Sequence, residues 1–354
     1  MPSLLFGLSA LYLVLVLLPR WMAFASEVFV FYPSDFFSGF ENPRFFGHWV
    51  TLTLPLMVHV VLREADKTRE ILRHALWVVV AMWVAFAIAS GTRGSWLALG
   101  LVTMALPMVG PAGAQLARGT IVAAVCGLVI YLLMFLVVPF LMQGSVALVG
   151  VERLSEGAQL SRRDELWSLS LKGIAAQPFL GAGPMMFAAT NNGVGAHPHN
   201  VILQLAYEWG LPLTILLVYV VFWAGLRQLS VCRQHGNPLR AALLASITGG
   251  LIQAQLDGIL VMPFSQTLFA LLCAWLGSLT PRDQYLEMDR GFAVRALCCA
   301  CAIALGILCL PELQDLRKWE TATLDEMGAS QFLPRFWVQG VIPADSQSRL
   351  LTGQ

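Results

Sequence analysis

The chain has 354 residues, of which 57% are hydrophobic and only 12% are charged. Soluble domains carry about 25% charged residues, so this composition excludes an ordinary soluble enzyme and predicts that much of the surface faces lipid. The net charge is +1, from 22 Lys and Arg against 21 Asp and Glu, so no basic field indicates a nucleic-acid partner. The seven cysteines lie almost entirely within apolar runs and predict neither a disulfide framework nor a metal site.

Apolar runs long enough to cross a membrane recur along the chain, since a crossing helix needs about 20 such residues. They cover residues 3–19, 47–63, 74–90, 95–111, 120–141, 211–227, 239–257, 261–280 and 292–310. The sequence therefore predicts an all-α integral membrane protein. We expect a polytopic helical bundle of about nine transmembrane helices, with ten or more as the upper alternative.

Lys and Arg residues in the short loops predict the orientation, because cytoplasmic loops carry an excess of positive charge. One set of loops holds eleven of them, whereas the opposite set holds only Arg20, Arg44 and Arg93. The first set is therefore expected on the cytoplasmic side. The predicted parts of the chain are a membrane domain over 1–310, a long outer loop with short amphipathic helices inserted at 143–210, and an outer C-terminal tail over 311–354.

The first polar segment on the outer side is a tight turn, residues 90–96, with the sequence SGTRGSW. Its two glycines allow backbone N–H groups to face an anion, with Arg93 beside them. An interfacial arginine next to a membrane-belt tryptophan explains the same residues, and the turn alone favours that explanation.

The second polar segment, residues 161–167, has the sequence SRRDELW and predicts the start of an amphipathic helix that ends near Pro178. Ser161 is a candidate N-cap, and the two acidic residues suit the first turn. Arg162 and Arg163 suit a diphosphate, because guanidinium groups bind phosphate bidentately. A surface network of arginines and carboxylates explains the pair equally well.

The third polar segment, residues 191–200, has the sequence NNGVGAHPHN. His197 and His199 are two residues apart, but a third ligand is missing, so no metal site is predicted. A neutral imidazole at His199 can instead take a proton from a hydroxyl, although a loop histidine is often only a solvated or capping residue.

Two further clusters are predicted on the outer side. Asp257 lies near a break at Gly258 and is a candidate functional carboxylate or simply the end of a helix. The aromatic residues of 40–49 are expected at the membrane interface, with a sugar-stacking surface as the alternative.

Taken in order, the polar segments resemble the O-antigen ligase/polymerase superfamily of bacterial membrane glycosyltransferases. The resemblance covers roughly residues 75–280. It is carried by Thr92-Arg93-Gly94, by Arg163-Asp164-Glu165-Leu166-Trp167 with Pro178 and Gly181-Ala182-Gly183, and by His199-Asn200 with Gly210. Ligases of this family commonly have more spans, so the resemblance implies that one or more N-terminal helices are missing here.

This resemblance implies inverting glycan transfer from undecaprenyl diphosphate to an acceptor hydroxyl, at the periplasmic face of the bacterial inner membrane. Neither a metal nor another cofactor is implied, and the partners are the lipid-linked donor, the acceptor and membrane lipid. The acceptor is lipid A core in ligases, which we favour, a growing chain in polymerases, and a Ser side chain in protein O-oligosaccharyltransferases. A transporter or flippase is the alternative from another class, but the repeats and charged spans that it predicts are not evident.

By the same resemblance, His199 is the base that activates the acceptor, and Arg93 and Arg163 hold the diphosphate. The remaining candidates are Arg162 as a further diphosphate ligand and, in supporting roles, Asn200, His197 and Asp257.

Overall fold

Helices account for nearly all of the chain that the structure describes. The computed structural model describes residues 2–26, 37, 40, 43–64, 70–143, 162–189 and 195–279. Its helices, in chain order, are α1 (Pro2–Ala25), α2 (Pro43–Glu64), α3 (Glu70–Ala89), α4 (Arg93–Ala105), α5 (Pro111–Met142), α6 (Arg163–Ala176), α7 (Met186–Ala189), α8 (Val201–Trp209), α9 (Leu211–His235), α10 (Pro238–Gln253) and α11 (Pro263–Ser278).

Five of these helices, α1, α2, α3, α5 and α9, are long and apolar enough to cross a membrane. Three more predicted spans coincide with helices that are shorter than predicted, namely α4, α10 and α11. The helix α10 ends at Gln253, whereas its predicted span ends at residue 257. The ninth predicted span, 292–310, and the tail 311–354 lie outside the described residues. The described part is therefore an all-α membrane protein, while the number of spans, the domain limits and the sidedness of the loops stay predictions.

Residues at the helix ends explain where several of the helices begin. The helices α5, α9, α10 and α11 each have proline in the first or second position, where the missing N–H costs no hydrogen bond. Gly236 ends α9 with a left-handed φ of 59°. The Asn237 side chain then caps α10 by accepting hydrogen bonds from the N–H groups of Leu239 and Arg240.

The helix α2 forms the centre of the bundle and contacts α1, α3, α4, α5, α10 and α11. Phe46 is fully buried, with its ring centroid 4.7 Å from that of Phe37 and 4.9 Å from that of Trp83. The Trp49 indole donates a hydrogen bond to Ser9 Oγ at 2.9 Å. The predicted interfacial or sugar-stacking role of this aromatic segment is therefore wrong for Phe46, because the ring packs inside the bundle.

Gly47 lets α2 approach the turn before α4 very closely. A Cβ atom at this position would lie 2.5 Å from Thr92 Cγ2 and 2.6 Å from Ser95 Oγ. On the other side of the same contact, the Thr92 hydroxyl donates to the Pro43 carbonyl at 3.4 Å. The absence of a side chain at Gly47 thus brings the first turns of α2 and α4 together.

Replacing Gly47 by Ala is expected to lower the melting temperature of the detergent-purified protein, because overpacking a buried contact costs about 1–3 kcal/mol. Gly100→Ala in α4 is the matched control, since a Cβ there meets nothing within 4 Å. Thermal unfolding of both variants checks the contact. An unchanged midpoint for Gly47→Ala would contradict the close approach.

Between α5 and α9, the short helices α6, α7 and α8 form a small cluster of their own. Its core consists of Leu166, Ile174, Phe187, Ala206 and Tyr207. The cluster rests on the start of α9, because the Leu211 N–H donates to the Pro178 carbonyl at 2.8 Å. Short helices are therefore present in the described part of the predicted 143–210 insertion, and Ser161 lies outside the described residues.

Candidate functional site

His199 lies in a strained turn that is fixed at both ends. Its φ of 53° is left-handed, an uncommon conformation for a residue other than glycine. The next residue, Asn200, caps α8 by accepting the Leu203 N–H at 2.9 Å, and its amide donates to the Gln255 carbonyl at 3.2 Å. The Val201 N–H bonds to the Ala254 carbonyl at 2.9 Å. These bonds attach the loop of residues 195–200, which we call the histidine loop, to the segment that follows α10.

Asp257 occupies that segment and faces two imidazoles. The His48 Nε2 atom lies 3.4 Å from Oδ2, and the His199 Nδ1 atom lies 3.7 Å from Oδ1. Asp257 is buried, and the Gly258 N–H donates to its Oδ1 at 2.8 Å. Burial alone would raise the pKa of this carboxyl, but the two imidazoles and the Gly258 N–H lower the pKa well below its usual value. Asp257 is therefore an ionised carboxylate.

His197 supports the loop rather than facing an open site. Its Nδ1 accepts the His199 backbone N–H at 3.3 Å, and the two rings are 4.1 Å apart. A Cβ at Gly258 would lie 2.7 Å from the His197 ring, so the ring packs directly on this glycine. Burial, followed by the nearby His199, lowers the pKa of His197 to about 3. His197 is therefore neutral, as its role as a hydrogen-bond acceptor requires.

Arg163 begins α6 and is directed towards the same end of the bundle. The Trp167 indole, one turn further along α6, donates to the Pro198 carbonyl at 2.9 Å and joins this helix to the histidine loop. Burial lowers the pKa of Arg163; Asp257 raises it, whereas Arg44 and Arg93 lower it further. The guanidinium remains charged at physiological pH, and its buried Nε has no hydrogen-bond partner among the described residues.

Arg162 behaves differently from its neighbour. Its guanidinium is exposed and forms two hydrogen bonds to Glu165, at 2.9 and 2.8 Å. Its φ of 58° is left-handed, whereas Arg163 is the first helical residue, so the two side chains leave the backbone in different directions. This arrangement favours the surface network for Arg162 over the predicted diphosphate contact.

Arg44 of α2 and Arg93 of α4 are therefore close enough to act on Arg163 of α6, at the end of the bundle that holds the Asp257 and His199 pair. The first turn of α4 also reaches this end, because the Gln253 amide donates to Ser95 Oγ at 3.0 Å. Like charges brought this close favour a bound anion, and the adjacent imidazole can move a proton. Among the described residues, no group of three or more His, Cys, Asp or Glu has the geometry to hold a metal ion.

Sequence reasoning missed two members of this cluster, Arg44 and His48, which both lie in the first turns of α2. His48 is completely buried against Asp257, and Arg44 is close enough to affect the pKa of Arg163. Gly47, between them, was the available signal, because a glycine in an apolar helix often marks a close approach of another backbone.

Residues 77–218 match the Wzy_C family model, described as O-antigen ligase. The match includes Arg93, Arg163 and His199 but neither the first turns of α2 nor Asp257. The comparisons with curated proteins and with solved structures gave no match. Members of this family are membrane glycosyltransferase-like enzymes of the ligase and polymerase type. Residues 77–218 are therefore similar to the O-antigen ligase family, and this similarity supports the superfamily that the sequence motifs predict.

Proposed function

We propose that the protein transfers a glycan from undecaprenyl diphosphate to an acceptor hydroxyl, with inversion at the anomeric carbon. The favoured acceptor is lipid A core, and the reaction takes place at the periplasmic face of the inner membrane. The observation that carries this proposal is the convergence of three arginines with the His199 and Asp257 pair, in a chain with an O-antigen ligase-like domain.

The arginines suit the diphosphate of the donor. As the glycosidic bond breaks, negative charge develops on the diphosphate, and fixed cations in a partly dehydrated site stabilise that charge strongly. Arg163 is half-buried, and its Nε lacks a hydrogen-bond partner within the described residues, so an incoming phosphate oxygen satisfies it. Arg93 and Arg44 approach from α4 and α2. Arg44 thereby joins Arg93 and Arg163, two of the three arginines that the sequence predicts as diphosphate ligands.

His199 suits the role of the base. Its Nδ1 faces the Asp257 carboxylate, which favours the tautomer with the proton on Nδ1 and leaves Nε2 to accept a proton. In the proposed step, Nε2 takes the proton of the acceptor hydroxyl while the oxygen attacks the anomeric carbon. The bond from that carbon to the diphosphate oxygen breaks, and undecaprenyl diphosphate leaves with the electron pair. Asp257 stabilises the imidazolium that forms, and Asn200 and His197 hold the loop.

A complementation experiment tests this function. The chain is expressed in a cell that lacks its own gene, and surface lipopolysaccharide and glycosylated protein are probed in the same samples. Lipopolysaccharide ladders restored by the wild type, but not by His199→Asn, are the result expected of a ligase.

Other outcomes redirect or overturn the proposal. Attachment of a single repeat in place of a ladder, when the gene is absent, identifies a polymerase, and a signal on protein alone identifies a protein O-oligosaccharyltransferase. No change in any glycan, with wild-type protein present in the membrane, would overturn glycan transfer. Transport of a lipid-linked glycan across vesicles would then support the flippase alternative.

A further inference from the structure

His48 lies in a buried polar group, between Asp257 and Ser265, that the catalytic step does not use directly. It is completely buried in α2, with Nε2 3.4 Å from Asp257 Oδ2 and Nδ1 3.3 Å from Ser265 Oγ. We propose that His48 is a positioning residue: it is an imidazolium that holds Asp257 in place and leaves His199 as a neutral base. The consequence of this inference for catalysis rests on the proposed function, but the experiment that tests it does not require glycan transfer.

The hydrogen bonds of Ser265 determine where the protons of His48 lie. The Ser265 hydroxyl has one proton, and the Ile259 carbonyl, 2.6 Å from Oγ, is its nearest acceptor. The hydroxyl oxygen therefore accepts from His48 Nδ1–H. The other ring nitrogen faces a carboxylate oxygen, which only accepts, so it carries a proton as well. A neutral His48 would place a nitrogen lone pair against an oxygen lone pair on one side of the ring.

A cation at His48 changes what is required of His199. A buried carboxylate needs a positive partner, because an unpaired charge is costly in a low-dielectric interior. With His48 in that role, His199 can face the other oxygen without being protonated, and it keeps a free lone pair. The other charged or titratable groups that interact with this cluster from the neighbouring elements are Arg44, Arg93, Arg163 and the neutral His197. Arg163 also acts on Asp257, but His48 lies directly against the carboxylate, at 3.4 Å.

Substituting His48→Gln tests this role in the purified protein without a donor. Histidine is labelled with ¹³C, and the His199 signal is identified by its loss in His199→Asn. Removing the cation is expected to make protonation of His199 easier, so the signal is expected to respond at higher pH than in the wild type. His59→Gln is the matched control, because His59 is another buried histidine of α2, about three turns further along the helix. It is expected to leave the pH midpoint of the His199 signal unchanged.

A double-substitution cycle separates a charge effect from a general loosening of the fold. In an Asp257→Asn background there is no carboxylate to compensate, so His48→Gln is expected to shift the His199 midpoint much less than in the wild type. Ser265→Ala supplies a second variant if His48→Gln does not fold, with a smaller upward shift expected. An unchanged midpoint in a folded His48→Gln or Ser265→Ala protein, or an equal shift with and without Asp257, would overturn the proposal. Failure of glycan transfer alone would count against the proposed function and not against this one.

Discussion

Replacing His199 by Asn is expected to lower the rate of glycan transfer by about 10²–10⁴-fold, the usual contribution of a general base. Asparagine is the informative substitution, because His199 has a left-handed φ of 53° that asparagine adopts more readily than alanine does. The variant therefore removes the base with little change in backbone strain. Transfer is measured as glycan-linked acceptor formed per unit of protein in the membrane.

Met185→Asn is the control for this substitution. Met185 also has a left-handed φ, of 61°, but its side chain is exposed in the loop between α6 and α7. It is expected to transfer glycan at the wild-type rate. If His199→Asn protein, present in the membrane at wild-type amounts, transferred glycan at the rate of the control, His199 would not be the base.

Replacing Arg163 by Gln is expected to lower the rate of transfer by about 10²–10³-fold, the cost of removing one donor from a charge-stabilising site. The guanidinium is half-buried, close to Asp257, and its Nε has no partner within the described part of the chain. We expect most of the loss in kcat, because charge on the diphosphate grows as the bond to the sugar breaks. Steady-state kinetics with varied donor concentration measure the division between kcat and KM.

The preceding residue is a matched control for Arg163. Arg162→Gln removes an equal charge from an adjacent position, but the Arg162 guanidinium is exposed and bound to Glu165. It is expected to change transfer by less than about threefold, because solvent screens an exposed ion pair and the pair contributes little. Equal losses for the two variants would show that both arginines contact the donor, as the sequence alone allows.

The sequence was sufficient to predict the helical membrane class and the segments that contribute to the site. Arg93, Arg163 and His199 stand out because each lies in a short polar segment between long apolar runs. The family match over residues 77–218 supports the superfamily that these segments indicate. A hydropathy pattern cannot, however, distinguish the last turn of a helix from the turn that follows it. For that reason the predicted span 239–257 ended at Asp257, although α10 ends at Gln253.

Two other features depend on three-dimensional packing and have no local pattern in the sequence. His48 is separated from Asp257 by about two hundred residues, and only the close packing of α2 against α4, α10 and α11 brings them together. Arg162 and Arg163 form a uniform pair in the sequence, yet a left-handed φ at the first residue separates their side chains. Long-range pairing and single-residue backbone conformation are both set by tertiary contacts, so they required the structure.

Transfer by the purified protein in liposomes that contain an undecaprenyl diphosphate-linked glycan tests the proposed function most directly. Lipid A core is supplied as the acceptor, with a glycan chain and a serine-containing peptide in parallel reactions. We expect donor to be consumed and undecaprenyl diphosphate to be released only when a suitable acceptor is present, and His199→Asn and Arg163→Gln to abolish most of this release. Wild-type protein that is folded in the liposomes, yet forms no product with any of the three acceptors, would contradict the proposed function.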